Sequence, residues 1–268
     1  MTGSACSVWR GWRRIETVKI LLPALLCALS LSFQACSKDP VQATKSKADQ
    51  GDADAQFSLG VSYANGQGVA KDEAEAVKWY RKAADQGLAA ARYNLGVMYA
   101  NGQGVAKDEA EAVKWYRKAA DQGDARAQFN LGFSYANGQG VAKDEAEAVK
   151  WVRKAADRGY AEAQYNVGNM YDIGHGVAKD EAEAVKWYRK AADQGYASAQ
   201  NNLGFMYDNG HGVAKDEAEA YKWYLLAGAQ GDKKAKKNIE LIELVLTPAL
   251  RAEGQKRARE FKPVKAAP

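Results

Sequence analysis

Lys71-Asp72-Glu73-Ala74-Glu75-Ala76-Val77-Lys78-Trp79-Tyr80-Arg81-Lys82-Ala83-Ala84-Asp85-Gln86-Gly87 is the stretch whose reading decides the fold. It returns almost unchanged 36 residues on, again and again, so that Trp79 is echoed by Trp115, Trp151, Trp187 and Trp223. A period of roughly 20–50 residues marks a stacked array, because one such unit cannot bury its apolar face alone. The block itself reads as a helix. Asp72 stands at an N-cap position and Glu75 follows three residues later, as in a capping box, with acidic residues in the turn where the helix dipole favours them. Ala74, Val77, Trp79, Tyr80 and Ala84 are expected on its buried side, Lys78, Arg81 and Lys82 on its wet side, and Gly87 ends it in a left-handed conformation.

A second helix precedes each copy. In the first unit it runs from about Ala53 to Ala64 and carries Ala55, Leu59, Gly60 and Tyr63. A glycine inside a helix costs about 1 kcal/mol relative to alanine. Its recurrence as Gly96, Gly132, Gly168 and Gly204 implies that another helix comes too close for a side chain. The loop Asn65-Gly66-Gln67-Gly68-Val69 has the glycines that a tight, positive-φ connection needs. Five units follow one another at 51–86, 87–122, 123–158, 159–194 and 195–230.

Residues 55–87 read Ala-x3-Leu-Gly-x2-Tyr-x2-Gly-x-Gly-Val-x2-Asp-x3-Ala-x2-Trp-x3-Ala-Ala-x2-Gly, which resembles the Sel1-like repeat, a longer-looped relative of the tetratricopeptide repeat. The resemblance covers residues 51–230 and implies an all-α fold: an α-solenoid, a right-handed superhelix of antiparallel helix pairs whose first helices line the concave face.

Both flanks differ from the array. Arg10, Arg13, Arg14 and Lys19 precede an uncharged run over residues 20–33, closed by Gln34-Ala35-Cys36. A positive flank, a short apolar segment and a small residue make a secretory signal, and the run is shorter than the roughly 20 residues that span a bilayer. Residues 1–35 further resemble a bacterial lipoprotein leader, which implies lipidation of Cys36 and, with Ser37 behind it, anchoring in the outer membrane facing the periplasm; Phe33 and Gln34 depart from the usual pattern. Starting the leader at Val18 would make it more compact. Cys6 and Cys27 would leave with the leader, so the exported fold has no disulfide. Residues 36–50 read as a tether and N-terminal cap, Lys47-Ala48-Asp49-Gln50-Gly51 imitating the end of a repeat. Residues 231–268 read as C-terminal capping helices and a basic tail, with Thr247-Pro248 opening the last helix and the end from Lys262 frayed.

Comparing the five units with one another shows where they differ. The second helix barely varies; the first varies at Asp54/Ala90/Arg126/Glu162/Ser198, at Phe57/Tyr93/Phe129/Tyr165/Asn201 and at Val61/Val97/Phe133/Asn169/Phe205. These positions lie at i, i+3 and i+7, on one stripe. Asn94, Asn130, Asn166 and Asn202 form an amide ladder beside it. Two readings stand: drift on a tolerant surface, or a groove for an extended or helical peptide, with the amides serving either the ligand or the array's own loops. The ligand-facing candidates are Phe57, Tyr93, Asn94, Arg126, Phe129, Asn130, Phe133, Glu162, Tyr165, Asn166, Asn202 and Phe205. In units four and five Asp172 with His175, and Asp208 with His211, are of the types that hold a metal, although one duplicated pair of substitutions accounts for them equally. No metal site and no cofactor are expected.

Charge divides the chain. Residues 37–230 carry 24 Lys and Arg against 27 Asp and Glu, whereas residues 231–268 carry 10 against 5. The basic end reads as a solvated cap or as a contact for an anionic membrane or acidic partner; nucleic acid does not fit an exported protein. No G-x-S-x-G, H-E-x-x-H or P-loop pattern occurs. The expectation is a non-enzymatic, monomeric scaffold, tethered to the membrane through Cys36 and binding an unknown protein or peptide. The alternatives are a glycan or peptidoglycan reader or, by resemblance to cysteine-rich relatives, a β-lactam-related hydrolase; the helix-pair cysteines and Ser-x-x-Lys of the latter are missing here.

Overall fold

The computed structural model describes residues 40–264, so the leader over 1–35, Cys36 and the start of the tether lie outside the described residues. The described residues form thirteen helices and no strand: α1 (Pro40–Asp49), α2 (Ala53–Asn65), α3 (Glu73–Asp85), α4 (Ala89–Asn101), α5 (Glu109–Asp121), α6 (Ala125–Asn137), α7 (Glu145–Asp157), α8 (Ala161–Ile173), α9 (Glu181–Asp193), α10 (Ala197–Asn209), α11 (Glu217–Ala229), α12 (Lys233–Glu243) and α13 (Pro248–Glu260). Each first helix packs on the second helix of its own repeat, and each second helix packs on the first helix of the next. The result is an all-α tandem array.

The second helices start as their sequence dictates. The Asp72 carboxylate accepts from the Glu75 amide at 3.0 Å, and Asp108, Asp144, Asp180 and Asp216 repeat the contact. The reciprocal arm of the capping box does not form. Asp72 donates its own amide to the Tyr63 carbonyl at 2.9 Å, which frees Glu75 to pair with Lys78. Ala76, Val77, Trp79, Tyr80, Ala83 and Ala84 are buried, but Ala74 is exposed, contrary to the sequence expectation. At about 100° per residue Ala74 shares its face with Lys78 and Arg81, and Ala76 takes the inward place.

Two features stitch neighbouring repeats. Trp115 lies in one cluster with Ala83, Ala84 and Leu95, Trp151 with Ala119, Ala120 and Leu131, and Trp187 with Ala155 and Ala156, so each tryptophan closes the core of the unit before it. The outer faces of Trp79, Trp115, Trp151 and Trp187 carry Lys82, Lys118, Lys154 and Lys190, each ammonium about 4 Å from its ring. Arginines add a second stitch: Arg81, Arg117, Arg153 and Arg189 donate to the hydroxyls of Tyr99, Tyr135, Tyr171 and Tyr207 in the next first helix.

The recurrent helical glycine makes room for an aromatic ring. A Cβ at Gly96 would sit 2.7 Å from the Tyr116 ring and 3.2 Å from the Ala112 carbonyl, and Gly60, Gly168 and Gly204 face Tyr80, Tyr188 and Tyr224 in the same way. The loop glycines serve the junction between repeats. Gly140, at φ +69°, rests on α5 so closely that a Cβ would lie 2.1 Å from the Glu109 carbonyl oxygen.

The ends are closed by helices of their own. The tether reading fails from Pro40 onward: α1 stands where a preceding repeat would put its second helix, with Ala48 buried and its carbonyl accepting from Gln56 Nε2 at 3.1 Å. At the other end α13 packs along α11. Arg257 there binds Asp216 at 2.9 Å and Glu219 at 3.1 Å, and Phe261 meets Trp223 edge-on at 5.3 Å. Residues 262–264, expected to fray, lie on the array, with the Val264 amide donating to the Asp193 carbonyl at 2.8 Å. No helix among the described residues is long and apolar enough to cross a membrane.

Candidate protein-binding face

The variable stripe lies on α2, α4, α6, α8 and α10, and the structure brings neighbouring members of it into contact. Phe57, Tyr93 and Tyr165 lean on Tyr80, Tyr116 and Tyr188 of their own repeats, with ring centroids 5.8, 6.1 and 5.9 Å apart. Repeat three breaks the pattern because Val152 stands where the others have tyrosine. Phe129 turns instead to Tyr160 of the next repeat, at 5.5 Å, and Tyr165 likewise meets Tyr196, at 5.3 Å. Arg126 lies with its guanidinium 4.4 Å over the Tyr93 ring and is held from behind by both oxygens of Asp124. Glu162 accepts from the Tyr160 hydroxyl at 3.1 Å. Rings and charged groups thus run from Tyr93 in repeat two to Tyr196 at the start of repeat five, with Phe133 and Phe205 exposed farther along the stripe at 53% and 47%.

The amide ladder is engaged within the array. Asn94, Asn130 and Asn202 hydrogen-bond the hydroxyls of Tyr80, Tyr116 and Tyr188 in the preceding repeat. Asn166 faces Val152 and folds its Nδ2 back onto the Glu162 carbonyl at 2.8 Å. The protonation states follow from burial. Desolvation pushes the Tyr116 hydroxyl up to about 12, and it raises Tyr93 against the opposing pull of Arg126. Tyr160 and Tyr196 are raised by burial first and by the negative charge of Glu162 second.

Tyr160 and Tyr196 escape a reading of the stripe alone, because they precede the helices. The position just before each first helix is Asp52, Leu88, Asp124, Tyr160, Tyr196 and Asp232 in turn. The three aspartates accept backbone amides of the first turn, at 2.7, 3.0 and 2.8 Å, whereas Leu88, Tyr160 and Tyr196 make no side-chain cap. An N-cap is worth about 1 kcal/mol. Three helices give it up for apolar or aromatic surface next to the variable stripe. The signal in the sequence was the loss of a capping residue at a position where its equivalents keep one.

The histidine and aspartate pairs do not assemble. Asp172 accepts from the Tyr188 hydroxyl at 3.2 Å and Asp208 from that of Tyr224 at 3.5 Å, while His175 and His211 are exposed and His211 lies against Phe205. Among the described residues no group of three or more His, Cys, Asp or Glu side chains converges to hold a metal ion.

Residues 53–88, 89–124, 125–160, 161–196 and 197–232 each match the Sel1 repeat. The chain belongs to the Sel1 repeat family. Proteins of the Sel1 repeat family are generally protein-interaction scaffolds, and the family is typically non-catalytic. Its matched units begin at the first residue of each first helix, two residues after the boundaries drawn from the period alone. Among solved structures this Sel1 repeat chain is similar to c5321, described as a protective antigen present in uropathogenic Escherichia coli strains and displaying an SLR fold, at 38% identity and a TM-score of 0.73 over 84% of this chain. It spans half the length of that antigen. A Sel1 repeat protein from Oxalobacter formigenes is similar at 36% identity and a TM-score of 0.67, over 82% of this chain and 88% of the other. No curated protein matches it.

Proposed function

We propose that this protein is a membrane-tethered, periplasm-facing scaffold that holds a protein or peptide against the first-helix face of repeats two to five. The observation that carries the reading is the exchange of capping aspartates for Leu88, Tyr160 and Tyr196, which widens an aromatic row already formed by Tyr93, Phe129 and Tyr165. Aromatic rings supply much contact area at small entropic cost, and Arg126 and Glu162, of opposite sign and one repeat apart, set the register of a charged partner. The export part of the proposal rests on the leader and on Cys36; incorporation of labelled palmitate into the full chain, lost in Cys36→Ala, is its test.

Partner binding is tested by Tyr196→Asp. The new carboxylate restores the cap, offsetting the ring contact with Tyr165, so the melting temperature stays close to that of the parent. Capture of the cross-linked partner should fall about tenfold or more, as expected for an aromatic anchor of an interface. Undiminished capture would place binding elsewhere. Binding to a peptidoglycan or glycan array at the same strength, lost in the same variant, would favour a sugar reader over a protein scaffold.

A further inference from the structure

The end of α12 and the turn that joins it to α13 leave Leu241, Leu244 and Val245 at 54%, 82% and 71% exposure. They lie on the end of the array that its own helices cap, where Lys234, Lys237 and Leu241 continue the stripe of Ser198, Asn201 and Phe205 by one repeat, beyond the aromatic row. Along α12 the inward side is Ala235 and Ile242, with Ile239 against Gly228 of α11. At about 100° per residue Lys233, Lys234 and Lys237 fall on the outward side, in line with Leu241 and Leu244. One face therefore carries cations on its first half and aliphatic side chains on its second.

Both halves are locally unfavourable. Lys233, Lys234, Lys236 and Lys237 crowd the positive end of the helix dipole, with no acidic residue in the first turn, and none of the four has a salt bridge among the described residues. Lysines of the second helices, such as Lys78 and Lys114, by contrast each have a glutamate partner. Of the acidic groups nearby, Asp232 is occupied in capping α12 and Glu243 is taken by Tyr221 and Arg251, which leaves Glu240 at the edge. One kind of ligand relieves both halves at once, an anionic lipid surface, where lysines meet headgroups and aliphatic side chains enter the boundary below them. A second copy of the chain on this face would instead bring lysines against lysines.

We propose that α12 and the turn after it bind anionic bilayers, independently of any N-terminal anchor. The test is co-flotation of the full chain with vesicles of phosphatidylcholine alone and with added phosphatidylglycerol. Because the N-terminal segment contributes equally to every variant, differences between variants report on α12. Replacing the four lysines by glutamine should lower the preference for phosphatidylglycerol by about fivefold per lysine, and the preference should weaken with salt. Leu244→Ser with Val245→Ser should weaken partitioning while the melting temperature is kept. In hydrogen exchange, amides of residues 241–247 should slow on phosphatidylglycerol vesicles alone. Variants that float like the parent would overturn the proposal. So would a concentration-dependent dimer that Leu244→Ser dissolves while flotation is unchanged, or equal protection of these amides by polyglutamate, which would assign the face to an acidic protein.

Discussion

Gly96 shows how one residue weighs opposing effects. Alanine would gain about 1 kcal/mol in helix propensity, but its Cβ would enter the Tyr116 ring, and overpacking of this kind costs about 1–3 kcal/mol. Gly96→Ala is therefore expected to lower stability in chemical denaturation by up to about 2 kcal/mol, and a gain would show that the ring moves away freely. Tyr116 itself makes a pH prediction. Its hydroxyl is raised from 10 to about 12, so stability is full below pH 10 and is lost as the pH climbs from 10 towards 12, where the unfolded chain ionises first. Tyr116→Phe should lose less stability than the parent between pH 9 and pH 11.5, by on the order of 1–2 kcal/mol. The glycine's need for space was legible in its recurrence, though not that a tyrosine ring fills it. Ala74 was misplaced because four alanines in one block leave the helix register ambiguous until neighbouring lysines are set around the helix.

At the scale of an element, the loops between repeats are joined by glutamines that composition did not single out. Gln86, Gln194 and Gln230 donate to the side-chain oxygens of Gln56, Gln164 and Gln200 at 2.8, 2.7 and 2.8 Å, and Gln128, Gln164 and Gln200 in turn donate to carbonyls of the helix before them. Arg158 stands at the donor position of repeat three, opposite Gln128, and the Gln128 Oε1 is buried without a partner. Arg158→Gln should therefore raise stability by about 1 kcal/mol; no change in the melting temperature would mean that the orphaned oxygen costs nothing. Helix existence, length and second-helix caps were readable from spacing. The helical nature of 40–46 was not, because that part of α1 has lost the repeat's signature, which only residues 47–51 keep.

Across the whole molecule, each repeat packs on its neighbours through tryptophans and arginine–tyrosine pairs that hardly vary. That uniform layer sets the spacing of the first helices, and the chain's individuality lies in what those helices present. The stripe was visible by comparing the repeats, since its positions differ while their surroundings do not. Its extension through Leu88, Tyr160 and Tyr196 was not, since they sit at unit boundaries, and only the missing cap bonds reveal them. The most direct measurement of the central claim is site-specific photo-cross-linking in the native cell, with the reactive group placed at exposed Phe133 on α6 or at exposed Lys150 on α7. A discrete protein adduct is expected from position 133, lost when Tyr160 and Tyr196 are replaced by aspartate, and none from position 150. The same adduct from position 150, or an adduct at 133 indifferent to both tyrosines, would contradict that claim.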